Sequence, residues 1–245
     1  MKEKTLQTAK YVYSDGISNV EAGYRRRQKK SIVISLVLLA IMLVLAAIMM
    51  LYGNTIYTPR QVWEALNEVE GSAIFTVKTL RLPRMLIAIL AGFAFGMAGN
   101  TFQQLLGNPL ASPDIIGVTS GASVAAVFGI LVLKLPTGIV SLLAVVSGLF
   151  VSCLIYVLAQ GGGFSNARLI LTGIGMQAFL NAIISWLLLK ASEYDVANAL
   201  RWLSGSLNGV KLSEVLPLGI VVCAAGCGIL LLNRQLTMLQ MGESH

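Results

Sequence analysis

The chain has 245 residues, 56% of them hydrophobic and only 12% charged, with a formal net charge of +7. Soluble domains carry about 25% charged residues and have no interior large enough for so much apolar surface, so a water-soluble globular fold is excluded. In a soluble protein the basic excess would point to nucleic acid; here its placement points to membrane topology, and no nucleic-acid partner is expected.

Charge-free runs of about 18 residues or more mark membrane crossings, because ~30 Å of hydrocarbon at ~1.5 Å per residue takes roughly 20 residues. Six such runs cover residues 31–51, 85–106, 115–133, 136–159, 169–189 and 215–232. Backbone groups cannot go unpaired in lipid, so each run is expected to be a helix. The predicted fold class is all-α, a polytopic transmembrane helical bundle.

Residues 1–30 are polar, mixed in charge and without apolar periodicity, which predicts a disordered, basic cytoplasmic tail. Eight of the 18 Lys and Arg precede the first span, and Arg25, Arg26, Arg27, Lys29 and Lys30 sit directly beside it. The positive-inside tendency then puts the N-terminus in the cytoplasm, and six crossings return the C-terminus to the same side. No small-residue cleavage site follows the run, so it is expected to stay attached as a helix. Beyond residue 30 the charge count runs the other way. Arg60, Lys78, Arg81, Arg84, Lys134, Lys190, Arg201 and Lys211 fall outside, against Arg168 and Arg234 inside. Docking of an acidic partner would account for these outward cations.

After the first span, Thr58, Pro59 and Gln61 have the spacing of an N-cap, a first-turn proline and a capping-box partner. Val62, Leu66 and Val69 follow at helical spacing, which predicts a short amphipathic helix ending near Gly71 and Ser72. The second span carries Ala88, Gly92 and Gly96 on one face, the third Gly117, Gly121, Ala125 and Gly129, and the fourth Ala144, Gly148 and Ser152. Small residues every fourth position let membrane helices approach closely, so Gly92, Gly96, Gly117 and Gly121 are expected to serve helix packing. Asn100, Gln103 and Gln104, near the inner end of the second span, are expected to face protein or a water-filled path.

The next segment is an elbow built on Asn108, Pro109 and Pro113. Asn108 and Ser112 each precede a proline and are pushed away from helical geometry. Ser112 can cap the third span, with Pro113 at its first position and Asp114 near the positive helix end. Gly161, Gly162 and Gly163 read as a flexible turn, since no Gly-Lys-Ser/Thr follows to make a phosphate cradle. In the fifth span Gly173, Gln177, Asn181 and Ser185 recur every fourth residue, a polar row that serves as interhelical glue or as the wall of an aqueous conduit. Residues 191–213 return outside, with Trp202 as an interface residue. Cys153, Cys223 and Cys227 lie within spans and read as small packing residues; no metal site or cofactor is expected.

These pieces, in order, carry a resemblance. Arg81-Leu82-Pro83-Arg84, Gly92, Gly99, Gln103 or Gln104, Asn108-Pro109-Leu110-Ala111-Ser112-Pro113, Gly117 and Gly121-Ala122 resemble the permease subunit of type II ABC importers, the FecCD-like family that takes up iron-siderophores, haem and vitamin B12. The likeness continues through Leu171-Thr172-Gly173, Trp202-Leu203-Ser204-Gly205-Ser206 and Leu232-Asn233 to Met241-Gly242-Glu243, and covers about residues 31–245. It implies a non-enzymatic permease of the bacterial cytoplasmic membrane. Its partners would be a second permease (a copy or a paralogue), two ATP-binding subunits and an extracytoplasmic substrate-binding protein. ATP would be hydrolysed by the separate subunits, in keeping with the lack of a Walker A pattern in this chain.

By the same resemblance Arg81 and Arg84 receive carboxylates of the binding protein, and the fifth span lies near the translocation pathway, which favours Gln177, Asn181 and Ser185 as its wall. Asn100, Gln103 and Gln104 are expected to line that pathway or to serve interhelical hydrogen bonding. The elbow transmits motion, residues 191–213 close the outer mouth, and Gly242 and Glu243 begin the helix that couples to the ATPase. The chain ends after six of the family's about ten spans, so residues 31–245 are expected to be a partial permease domain. The competing readings are a non-functional fragment of the permease and an ion-coupled secondary carrier. A carrier would place ionisable residues or broken helices at mid-membrane, and none of the six runs has an internal Asp, Glu, Lys or Arg.

Overall fold

The computed structural model describes the backbone of residues 2–67, 73–161 and 165–242, and among these residues there is no strand. Eight α-helices follow in order: α1 (Lys2–Leu51), α2 (Pro59–Leu66), α3 (Leu82–Leu105), α4 (Val118–Leu131), α5 (Thr137–Ala159), α6 (Asn166–Lys190), α7 (Glu193–Ser204) and α8 (Leu212–Gly242). A π-helical segment, Phe75–Arg81, runs into α3, and a 3-10 turn, Pro113–Ile116, precedes α4. The chain divides into two compact units, residues 1–85 and 86–245, with the boundary inside α3.

In the first unit, residues 2–30 depart from expectation. They are helical and continuous with the first span, so that α1 has 50 residues instead of a disordered tail before the membrane. Once a span supplies the nucleus, each further residue adds a hydrogen bond without paying nucleation again. The short outer helix forms as its sequence dictates. The Thr58 hydroxyl accepts from the Gln61 amide at 3.3 Å and the Gln61 side chain accepts from the Thr58 amide at 2.9 Å, with Pro59 in the first turn. Val62 and Ala65 of α2 then pack with Met50, Ala73 and Val77 into a small core. Val69, Gly71 and Ser72 lie outside the described residues.

In the second unit α4 packs antiparallel to α5 and parallel to α6. Gly121 faces Val151 and Ser147, while Gly129 faces Val140; Val124, Val127 and Leu131 of α4 meet Ile183, Ile184 and Leu187 of α6. Ala199 of α7 joins this core. The helices α3 and α8 touch through Leu90 on Gly219 and Met97 on Gly226, two contacts in the same sequence direction, so they run parallel.

Among the described residues five helices are long and apolar enough to cross a membrane: Gly23–Leu51, Phe75–Leu105, Thr137–Ala159, Asn166–Lys190 and Leu212–Gln235. The expected third span, residues 115–133, is not one continuous helix. Pro113 and Ser112 start a 3-10 turn, Gly117 breaks it at φ 70°, and α4 itself has only 14 residues. Its rise of about 21 Å falls short of the ~30 Å hydrocarbon thickness. The irregular backbone before it is tolerated because it is covered by α5 and α6 and is not left bare to lipid. Chain direction still counts α4 as a crossing. Parallel α3 and α8 need an odd number of passages between them, and α5 and α6 supply only two.

Candidate functional site

The elbow is assembled by local chemistry. At the end of α3, Gly107 adopts φ 58°, its amide donates to the Gln104 carbonyl at 3.3 Å, and the Asn108 amide donates to the Gln103 carbonyl at 3.1 Å. This pair of bonds is the Schellman arrangement, which satisfies carbonyls that a helix end leaves without partners. The Asn108 side chain then accepts from the Leu110 amide at 2.9 Å, bending the chain at Pro109. Ser112 is extended, and its hydroxyl accepts from the Asp114 amide at 3.3 Å with Pro113 in first position, so its expected capping role is observed on the 3-10 turn. Asp114 in turn accepts from the Thr119 hydroxyl, tying the turn to α4.

The elbow delivers its backbone into glycine gaps on two helices. At Gly173 of α6 a Cβ would lie 1.7 Å from the Ile115 carbonyl oxygen. At Gly117 it would meet Ile155, at Gly121 it would meet Val151 and the Ser147 carbonyl, and at Gly148 the Val118 carbonyl at 2.9 Å. The Ser147 hydroxyl donates to the Gly121 carbonyl at 2.8 Å across the α4–α5 contact. Gly117 and Gly121 therefore do the close packing expected of them, and Gly148, Gly173 and Ser147 complete it. The sequence signals for Gly173 were the Leu171-Thr172-Gly173 stretch and its place at the head of the every-fourth-residue row on the fifth span.

Gly92 and Gly96 behave differently. No atom of the described chain comes within 4 Å of a Cβ built at either. The contact of α3 with α8 is made by Leu90 and Met97, and Gly92 is about 200° round the helix from Leu90. The expected packing through Gly92 and Gly96 is thus not made among the described residues.

The amides and hydroxyls expected along a pathway are only partly together. On α3, Asn100 and Gln103 are exposed and Gln104 is half-buried. On α6, Gly173 is buried against the elbow, Gln177 is half-buried, and Asn181 and Ser185 are exposed. A residue every fourth position advances 40° beyond a full turn, so from Gly173 to Ser185 the row turns by about 120°. The four residues do not share one face: the first packs and the last two open outward. The Ser185 hydroxyl donates to the Asn181 carbonyl at 3.0 Å, which satisfies it within its own helix.

At the π-helical segment the guanidinium of Arg81 is buried, with the residue 9% exposed. It donates from Nη1 to the Met50 carbonyl at 2.7 Å and from Nη2 to the Thr55 carbonyl at 2.5 Å, and lies 5.1 Å from the Tyr57 ring centroid. Hydrogen bonds with the side chains of Thr55 and Thr76, aided by Arg81, hold the Tyr57 phenol below its usual pKa of 10.0. Both arms of its fork are thus committed to backbone carbonyls, a structural role that the expectation of docking by Arg81 did not include. Arg84 is half-buried.

Other outward cations also have local partners. Arg60 pairs with Glu64 at 2.8 Å and Lys190 sits over Trp186 at 5.6 Å. Lys134, at φ 51°, reaches Asp195 at 2.5 Å. The Lys134 ammonium first, then the Ser192 hydroxyl, holds the Asp195 carboxyl below the usual value of 3.8. Ser192 also caps α7, so this network ties the start of that helix to the α4–α5 turn. Gly242 is the last residue of α8, and Glu243 lies outside the described residues.

Apolar helices of spanning length, a capped elbow and glycine gaps define a multi-pass, all-α membrane protein. The FecCD transport family profile matches residues 37–245, and the chain belongs to that family. It is 37% identical over 184 residues to the ferric enterobactin transport system permease protein FepG of Escherichia coli (strain K12), covering 75% of this chain and 56% of that relative. It is 36% identical over 214 residues to the achromobactin transport system permease protein CbrC of Dickeya dadantii (strain 3937), covering 86% and 61%. The chain thus spans roughly 60% of the length of these relatives. A solved ABC transporter chain, described as of metal-chelate type and inward-facing, shares the fold with a TM-score of 0.74 at 23% identity, over 86% of this chain and 65% of that one. Family and apolar helices together indicate the bacterial inner membrane.

Proposed function

We propose that the chain is a permease subunit of a binding-protein-dependent importer for a bulky iron-siderophore, haem or corrinoid, working with a second permease, two ATP-binding subunits and an extracytoplasmic binding protein. The observation that carries this reading is the match to the FecCD family over residues 37–245, which includes the elbow and its glycine gaps. Asn100, Gln103, Asn181 and Ser185 are exposed on otherwise apolar helices, as groups facing an aqueous route in the assembled importer would be. Gly242, at the end of α8, and Glu243 are proposed to couple to an ATP-binding subunit. Arg84 is proposed to meet a carboxylate of the binding protein.

Deleting the gene should abolish uptake of radioiron presented as siderophore or haem, or of labelled corrinoid, and restoring it should return that uptake. Uptake should stop when ATP is depleted with the membrane potential intact. If instead it followed the proton or sodium gradient and survived ATP depletion, the ion-coupled carrier would be the correct reading.

Both termini are proposed to be cytoplasmic, on the strength of the cluster from Arg25 to Lys30. With Cys153, Cys223 and Cys227 replaced by alanine, single cysteines at Lys10 and Gln240 should resist an impermeant thiol reagent in intact cells. Cysteines at Arg60 and Ser206 should react. Labelling at Lys10 with protection at Arg60 would invert the topology.

A further inference from the structure

A helix leaves its last four carbonyls without intrahelical partners. At the end of α1 these belong to residues 48–51, and three of them are satisfied by groups further along the chain. The Ile48 carbonyl accepts from the Tyr52 amide at 2.8 Å and the Leu51 carbonyl from the Tyr57 amide at 3.0 Å. The Met50 carbonyl accepts from Arg81, 31 residues away, and is the one satisfied by a charged side chain. A cation at this end is also favoured by the helix dipole.

The second arm of the same guanidinium holds the Thr55 carbonyl, and the Tyr57 ring covers its face. The loop between α1 and α2 is therefore clamped at Met50, at Thr55 and at Tyr57, immediately before Thr58 caps α2. Gly53 makes room for the clamp: a Cβ there would lie 2.6 Å from Nη2 and 3.1 Å from the guanidinium carbon. The π-helical segment that ends at Arg81 widens the helix just where this residue must reach across, and such segments tend to occur at functional positions.

We infer that Arg81 is a positioning residue, a distal C-cap of α1 that fixes residues 52–58 and so sets where the outer helix α2 begins. A planar fork is required, because two carbonyls must be held at once; a lysine ammonium offers a compact point charge instead. The role concerns the folded chain itself and does not depend on the transport reading. Only its use, keeping an outer surface in place for a binding protein, rests on that reading.

Hydrogen exchange of the full chain in lipid nanodiscs tests the assignment, read at the amides of residues 52–58. Arg81→Gln should speed exchange there by about tenfold or more, because it removes charged hydrogen bonds to the buried Met50 and part-buried Thr55 carbonyls. Gly53→Ala, which leaves every charge in place, should do the same by displacing the guanidinium, and it carries the test if the Arg81 variant fails to insert. Arg81→Lys should fail to restore protection, and Arg84→Gln should leave these amides as in the native chain. Native-like exchange in both Arg81→Gln and Gly53→Ala would overturn the assignment. So would full protection in Arg81→Lys, since charge alone would then be sufficient.

Discussion

Gly173→Ala is expected to unseat the elbow from α6 and to destabilise the α4–α5–α6 core by about 3 kcal/mol or more, at or beyond the upper end of the usual overpacking range. The new methyl would stand 1.7 Å from the Ile115 carbonyl oxygen and 2.9 Å from its carbon. These are backbone atoms, so no rotamer change relieves the overlap. Neither can the turn slide freely, for it is held at one end by the Ser112 cap and at the other by Gly117 against Ile155 and Val151. Gly175→Ala is the matched control on the same helix, two residues away. Nothing approaches its Cβ position, and replacing a helical glycine by alanine removes roughly 1 kcal/mol of backbone penalty. Thermal unfolding of the two variants in one detergent should place Gly173→Ala well below the native protein and Gly175→Ala level with it or above. Equal midpoints for the two would mean that the close approach contributes nothing to stability.

That contrast also marks what could be read from the chain alone. Local rules gave the elbow at Asn108, Ser112, Pro113 and Asp114, because its bonds join residues within five positions of each other, although the helix end at Gly107 went unread. The capping box of α2 was legible for the same reason. Glycine periodicity identified faces that admit close approach but not which of them have something to admit. Gly117 and Gly121 meet α5, whereas Gly92 and Gly96, in the same kind of pattern, meet no atom of the described chain. The four-residue row on α6 looked like one face because 40° of drift per step is easy to neglect over a single turn and decisive over three. Length of apolar sequence overstated the third crossing, since hydropathy does not register the break at Gly117. Arg81 was the least legible. Its partners lie 26 and 31 residues earlier in the chain, and a motif spelled with two arginines does not say what the fold makes of each.

On the importer reading proposed above, Arg84→Glu is expected to weaken docking of the binding protein by on the order of 2 kcal/mol, roughly thirtyfold, while membrane insertion and ATPase assembly are unchanged. The two arginines are placed differently. Arg81 is spent on the carbonyls of Met50 and Thr55; reversing its charge would set a carboxylate against those oxygens and disturb the loop itself, so loss of docking in that variant would not identify a docking group. Arg84, about one turn further along and half-buried, carries the other half of the resemblance-based role. A guanidinium can hold a carboxylate with two parallel hydrogen bonds, and partial burial at the interface reduces the screening that makes exposed pairs worth less than about 1 kcal/mol. Titrating the binding protein onto the permease in nanodiscs at low and at physiological salt measures the effect, and changing a facing Glu of the binding protein to Lys should recover part of it. The hydrogen-exchange pattern at residues 52–58 should stay native throughout, which separates a lost contact from a disturbed surface. Unchanged affinity at low salt in Arg84→Glu would make this residue an interfacial anchor, its stem along apolar surface and its head toward water, and docking would then have to rest on other groups of the outer face.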